Sequence, residues 1–234
     1  MKTSNLLLLA LLAFLFISMI GYDLGLKKNF DRIDRNDPYY GYSKNMLPPF
    51  KYIKLAGKQF GMVQVLPGKN FEMRKQALDR MWGDPGLEWK VVHDTLFIDH
   101  TLDIESYPRY PYRDGDVFGK NTYLYIMAPA LSGIQSDGIV TSVKGWKGDE
   151  FLVKQTGEGI RLMDNVFDQL SIEAHAGGFV EMKGKNQIGA ATIQVRDSST
   201  LIVDKDVFKT LQIQVDSSAH LNLPGSLLKK SLSL

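Results

Sequence analysis

The sequence predicts an all-β chain: a right-handed, single-stranded parallel β-helix, a solenoid of coils about twenty residues long, preceded by an N-terminal membrane helix. Three observations carry this. The phrases DSSTLIV (Asp197–Val203) and DSSAHLNL (Asp216–Leu223) repeat with apolar residues in matching places. The stretches around them alternate apolar and polar residues, the period of a strand with one buried face. The chain opens on LLLLALLAFLFISMIGY (Leu6–Tyr22), apolar on every side.

The N-terminal element comes first. A short polar MKTSN carrying Lys2 precedes the apolar run, the arrangement of a membrane-targeting segment. A cleavable signal needs small residues one and three positions before the cut, and Ser18 and Gly21 have the wrong spacing, so an uncleaved anchor is favoured over a cleaved and secreted form. Residues 1–28 are read as signal anchor, with the membrane contacted through Leu6–Tyr22, and residues 29–49, rich in charge, Pro, Gly and Tyr, as linker. The Tyr39, Tyr40 and Tyr42 cluster is expected to pack against the start of the domain.

Residues 50–234 form the predicted β-helix. KYIKLAG, FGMVQVLP, KVVHDTLFIDH and NTYLYIMAPAL all read as strands. FEMRKQALDRMW (Phe71–Trp82) has a helical composition and is expected to cap the first coil. From Phe151 the repeat is regular, with units starting at Phe151, Leu170, Ala191 and Leu211. The first strand of each presents Phe151 and Val153, then Leu170, Ile172 and Ala174, then Ala191, Ile193 and Val195, then Leu211, Ile213 and Val215. A turn follows, and a second strand presents Ile160 and Leu162, Val180 and Met182, Leu201 and Val203, Leu221 and Leu223. A third apolar touch recurs at Val166 with Phe167, at Ile188, at Val207 with Phe208, and at Leu227 with Leu228. One such unit cannot bury its apolar side, but stacked copies can. The handedness of parallel crossovers predicts right-handed coiling. Outward positions agree: the alignment sets Lys154 beside Glu173 and Arg161 beside Glu181. The tail after the last repeat is expected to fold over it, with Lys229 and Lys230 in water.

Composition narrows the function classes. Net charge is +2, with 28 basic and 26 acidic residues interspersed, so no basic stripe points to nucleic acid. The absence of cysteine excludes disulfides, thiolate metal sites, cysteine nucleophiles and a lipidated cysteine anchor. His93, His100, His175 and His220 fall at no metal-ligand spacing and read as solvated strand or turn residues. DTLFIDHTLDIE brings Asp94, Asp99, Asp103 and Glu105 close together, and paired carboxylates on a β-helix face suit glycan cleavage, though acids bounding a strand also suit plain surface. DGDVFGKN from Asp114 lacks the ligands of a calcium loop. No cofactor or metal is predicted. The candidate site is instead a polar face of stacked strands: Lys154, Glu173, Gln194 and Gln214 in one row, and His175, Arg196 and Asp216 at the corner beside it.

FKYIKLAGKQFGMVQVLPG, WKVVHDTLFIDH and the ladder GEGIRL, AGGFVEM, DSSTLIV and DSSAHLNL resemble the bacterial GIN-domain family of proposed auto-transporter adhesin head-like proteins, over roughly Phe50 to Leu234. The resemblance implies a β-helical, envelope-associated protein and supplies no catalytic residues. The expected function is a membrane-tethered, non-catalytic binding or adhesion-type scaffold on the extracytoplasmic side, in contact with a glycan or an envelope protein. Two alternatives stand beside it: a carbohydrate-active lyase or hydrolase on the same scaffold, and a cytoplasm-facing accessory protein, which Lys27, Lys28, Arg32 and Arg35 after the anchor favour.

Overall fold

A computed structural model describes residues 3–31, 33, 36–58, 61–76, 87–101, 118–119 and 122–232. The chain divides into two compact units, Met1–Gly41 and Tyr42–Leu234. The first unit is helix α1 (Thr3–Phe30). Its Leu, Ala and Met side chains favour helix, and with 28 residues it is about 42 Å long, more than a bilayer's apolar core. The window Leu7–Lys28 is long and apolar enough to cross a membrane, and none of it is buried within the molecule. Lys27 and Lys28 lie in the last turn, where positive charge complements the helix dipole.

The second unit is mostly β. Its N-terminal half holds β1 (Tyr42–Met46), β2 (Tyr52–Lys58), β3 (Met62–Pro67), β4 (Glu72–Gln76), β5 (Glu88–Val92), β6 (Thr95–Thr101) and β7 (Thr122–Ala128). The C-terminal half holds β8 (Gly133–Asp137), β9 (Thr141–Lys144), β10 (Lys147–Thr156), β11 (Gly159–Met163), β12 (Val166–His175) and β13 (Phe179–Lys183). It ends with β14 (Gln187–Val195), β15 (Thr200–Val203), β16 (Phe208–Val215), β17 (His220–Asn222) and helix α2 (Gly225–Leu232). One sheet has the order β1-β4-β7-β3-β9-β11-β13-β15-β17, and the other β16-β14-β12-β10-β8-β2-β6-β5. Both are mixed: β1 with β4, β4 with β7, and β5 with β6 pair antiparallel, and the other pairs are parallel.

From β8 onward successive strands add to the two sheets in turn, and the predicted columns stand in register. Phe151 pairs with Leu170, Ala191 and Leu211 across β10, β12, β14 and β16. Ile160, Val180, Leu201 and Leu221 do the same across β11, β13, β15 and β17. Most of these side chains are buried in one continuous core, each contributing about 1.5–3 kcal/mol from apolar burial. Phe151 and Phe167 stack there at 4.6 Å. The third apolar touch is not a separate strand: Phe167, Ile188 and Phe208 lie at the starts of β12, β14 and β16, the same strands that carry Leu170, Ala191 and Leu211. The register is interrupted between Phe167 and Gln169 opposite Gly189. A Cβ on Gly189 would stand 2.4 Å from the Asp168 carbonyl oxygen, so that crossing requires glycine.

The turn between the two sheets explains the repeated phrase, whose second copy begins one position earlier in its turn than the first. Gly178 N–H donates to the His175 carbonyl (2.9 Å), Ser199 to Arg196 (3.1 Å) and Ala219 to Asp216 (3.3 Å). Arg196 and Asp216 therefore open equivalent turns. Ala176 (φ 50°) and Gly177 (72°) take left-handed conformations there, as do Asp197 (55°) and Ser198 (60°). A second corner carries an asparagine ladder. Buried Asn165 accepts from Trp146 N–H (2.9 Å) and donates to the Val143 carbonyl (3.1 Å). Buried Asn186 accepts from Asn165 N–H (2.9 Å) and donates to the Leu162 (3.0 Å) and Lys183 (2.9 Å) carbonyls. The two side chains thus satisfy backbone groups of adjacent strands and of the turn itself.

The N-terminal half departs from a simple succession of coils. β2 lies between β6 and β8, and β3 between β7 and β9, so neighbours in space are distant in sequence. Glu72–Gln76, expected to be helical, form strand β4, and residues 77–82 of that prediction lie outside the described residues. Met73 is buried where β4 crosses β7, and pairing to two strands outweighs the weak helix preference of EMRKQ. β1 occupies Tyr42–Met46, inside the stretch expected to be linker. Tyr42 packs edge-on to Tyr125 at 5.0 Å and donates its hydroxyl to the Thr122 carbonyl (2.6 Å), while Tyr40 is exposed. Burial, then the neighbouring Tyr125, push the Tyr42 phenol up to about 12. In α2, Leu227 is buried and Leu228 is 46% exposed, because adjacent helix positions cannot share a face. Lys229 is exposed, as expected.

Candidate functional site

Alternation along a strand sends every second side chain outward. On the eight-stranded sheet this places Lys154, Glu173, Gln194 and Gln214 in one register row. Lys154 Nζ lies 2.9 Å from Glu173 Oε2, so the pair inferred from the repeat is formed. On the other sheet Arg161 faces Glu181, hydrogen-bonds it through Nε, and lies 4.1 Å over the Phe118 ring. His175, Arg196 and Asp216 sit at the corner, as expected. His175 Nδ1 is 3.5 Å from Asp197 Oδ2. The Asp216 carboxylate accepts from Asp197 N–H (2.7 Å) and from Ser218 N–H (2.9 Å) and Oγ (2.8 Å). Those bonds, the one from Asp197 first, hold its pKa below the usual carboxylate range. Asp216 thus fastens one turn to the next.

The row does not stop at Lys154. Lys154 pairs with Gln135 on β8, Gln135 with Lys54 on β2, Lys54 with Phe97 on β6, and Phe97 with Lys90 on β5. One uninterrupted line of outward side chains therefore crosses all eight strands. Its N-terminal half escapes sequence reasoning because β2 is inserted between strands far from it in sequence, and no repeat marks the insertion. Two adjoining grooves lie there. The larger, about 490 Å³, is lined by Lys54, Trp89, Lys90, Phe97 and Asp99 among others. The smaller, about 210 Å³, lies between Lys54 and Lys154, with Tyr52, Phe97 and Leu152 among its walls. Gly133 keeps it open: a Cβ there would stand 2.9 Å from the Leu152 carbonyl oxygen and 3.3 Å from the Tyr52 ring. Lys54 Nζ lies 5.8 Å from the Phe97 centroid, within reach of its π face.

A second row runs beside the first. Glu88 opposes Asp99, Asp99 opposes Ala56, Ala56 opposes Asp137, and Thr156 then leads to His175. Of the carboxylates in DTLFIDHTLDIE, Asp99 lines the larger groove, while Asp103 and Glu105 lie outside the described residues. Asp94 belongs to a turn, its carbonyl accepting from Lys51 (2.7 Å) and Tyr52 (3.0 Å). The acidic part of the DGDVFGKN loop, residues 114–116, also lies outside the described residues. Among the described residues no group of three or more His, Asp or Glu side chains could hold a metal ion. His100 corrects an expectation: it is 1% exposed and stacks on Tyr123 at 4.9 Å. The alternation of β6, with Leu96 and Ile98 buried, turns His100 into the core.

No protein-family model matches the chain, and no curated protein matches it. Solved structures with some likeness include a proposed adhesin from Bacteroides fragilis, at 12% identity and a TM-score of 0.45, covering 78% of this chain and 96% of that one. Another is a proposed adhesin from Parabacteroides merdae, at 11% identity and a TM-score of 0.32, covering 78% and 95%. A third is a proposed lipid-binding protein from Parabacteroides distasonis, at 12% identity and a TM-score of 0.37, covering 78% and 93%. Such scores assign this chain no ligand.

Proposed function

We propose that the chain is a membrane-tethered cell-envelope protein whose strands coil as a right-handed parallel β-helix and whose outer face is a non-catalytic binding scaffold. The observation that supports this best is the row from Lys90 to Gln214, which offers charge, amides and an aromatic ring in register across eight strands. A flat sheet face with two open grooves suits an extended ligand more than a small enclosed substrate. Helix α1 is the proposed uncleaved anchor, with the β unit outside the cytoplasm. The test is retention of the detergent-solubilised full chain on insoluble envelope material, beside the double variant Phe97→Ala and Gln135→Ala. Retention that the double variant loses is expected; no retention, or equal retention by the variant, sinks the reading. A reporter fused after Leu234 should be active only outside the cytoplasm, and cytoplasmic activity would favour the accessory-protein alternative.

One observation keeps glycan cleavage in view: Asp99 and Glu88 oppose each other beside the larger groove. Turnover of a polyuronate that Asp99→Asn abolishes would establish that reading, and absence of turnover removes it.

A further inference from the structure

The outer row has a period of its own. Lys90, Lys54 and Lys154 occur on alternate strands, β5, β2 and β10, with Phe97 and Gln135 on the strands between. Neighbouring strands lie about 4.8 Å apart, so the ammonium groups recur roughly every 10 Å along a line perpendicular to the strands. Among the described residues Lys54 and Lys90 have no ion-pair partner, and Lys154 has Glu173. Resting on the binding-scaffold reading, we propose that this row takes a carboxylate-bearing glycan chain that lies across the strands.

Each part of the row matches a part of such a ligand. Lysines spaced by two strands match carboxylates spaced along a polymer, and each contact is a charge-assisted hydrogen bond. Between them the exposed part of Phe97 offers a flat apolar surface to the C–H face of a sugar ring, and Gln135 offers a donor and an acceptor to ring hydroxyls. The neighbouring acidic row lies two residues further along the strands, roughly 7 Å away. Glu88, Asp99 and Asp137 can accept from hydroxyls, and they repel densely charged polyanions that would spread over both rows. The face therefore selects sparse carboxylates on a hydroxyl-rich chain over sulfated polymers or nucleic acid.

The experiment is titration calorimetry of the detergent-solubilised full chain with a hyaluronan oligosaccharide, whose carboxylates fall on alternate sugars, with the same oligomer fully methyl-esterified, and with dextran sulfate. Esterification removes the charge and leaves the ring hydroxyls. The acid form should bind about tenfold or more tighter than the ester, and its affinity should fall as salt rises. Lys54→Gln should weaken the acid form by about tenfold, Lys54→Arg should restore it, and Lys205→Gln, on an exposed distant turn, should change nothing. Equal affinity for acid and ester, indifference to Lys54→Gln, or dextran sulfate binding as tightly would each overturn the inference. If neither oligomer binds while envelope material is still retained, the inference falls and the scaffold reading survives. If neither oligomers nor envelope material bind, both fall.

Discussion

The two halves of the β unit solve the same packing problem in different ways. From β8 to β17 each strand pairs with a strand two away in sequence, and like residues stand beside like. From β1 to β7 the sheets are assembled from distant pieces: β2 is inserted between β6 and β8, and antiparallel β1, β4 and β5 extend the edges. The ladder is held by repetition. The other half is held by single junctions that occur once, and the proposed binding row crosses the seam between them. A junction that occurs once has no neighbour of the same kind to share a defect, so substitutions there should cost more than equivalent ones in the ladder.

Gly57 gives the strongest test. It sits in β2 opposite His100 of β6, at φ +128°, and a Cβ there would stand 2.1 Å from the His100 carbonyl oxygen. Gly57→Ala adds a backbone clash to a conformation that L residues rarely adopt, and a loss above about 4 kcal/mol is expected in urea unfolding. Gly189→Ala, the ladder's counterpart with its clash at 2.4 Å, lacks the positive φ and should cost less. Hydrogen exchange sharpens the comparison. If coils depend only on neighbours, β14 and β16 stay protected in the Gly57 variant. Uniform loss of protection would show one cooperative unit and erase the distinction.

The asparagine ladder comes next in size. Asn165→Ala removes the acceptor of the buried Trp146 N–H and the donor to Val143, and a loss of about 2–3 kcal/mol is expected from groups left unsatisfied in the core. Asn186→Ala should be similar, and the double variant should fall short of the sum because the two side chains share a hydrogen bond. Strict additivity would mean the ladder is two separate caps.

These residues also show what the sequence disclosed. Columns such as Val153, Ile172 and Ile193 were legible because burial demands the same apolar pattern on every coil, and the ion pairs Lys154–Glu173 and Arg161–Glu181 followed from it. The asparagine corner carried a signal as well, in DNVF, KNQI and KDVF after successive second strands, but its meaning lies in backbone carbonyls that no side-chain pattern reveals. The groove was hidden for another reason. Lys54 and Phe97 become neighbours only through the pairing of β2 with β6, a long-range choice written in shape and not in repetition. EMRKQ misled because local preference for helix is weak against two flanking strands.

Acid should separate the halves by a smaller margin. On the N-terminal side Glu72 is buried between Lys44 (2.8 Å) and Arg74 (3.0 Å). Burial pushes its carboxyl up, and the hydrogen bonds and charges of Lys44 and Arg74 more than offset this, holding its pKa below the ordinary range. A depressed folded-state pKa stabilises the protein above the unfolded-state value, and that contribution is lost as pH falls through the folded-state value. Glu72→Gln should therefore lower the thermal midpoint at neutral pH and flatten its decline on acidification. A variant that declines as steeply as the parent would place the acid-labile contact elsewhere.

The smallest effect runs in the opposite direction. Ala176 holds φ 50° in the turn after β12, where left-handed backbone costs an L residue about 1–2 kcal/mol relative to glycine. Its side chain is exposed, so removing the methyl group loses no core contact. Glycine also raises the entropy of the unfolded chain by an amount worth roughly 0.5–1 kcal/mol, which cancels part of the gain. Ala176→Gly should thus stabilise the ladder by about 0.5–1 kcal/mol, read as a higher urea midpoint with an unchanged slope. Asp197 and Ser198 hold the same conformation in the next turn, but the Asp197 carboxylate lies 3.5 Å from His175 Nδ1, a contact that glycine would lose, so glycine there should gain less. Equal gains at Ala176 and Asp197 would mean that backbone strain alone sets the cost of these turns and that the contact between Asp197 and His175 contributes nothing to it.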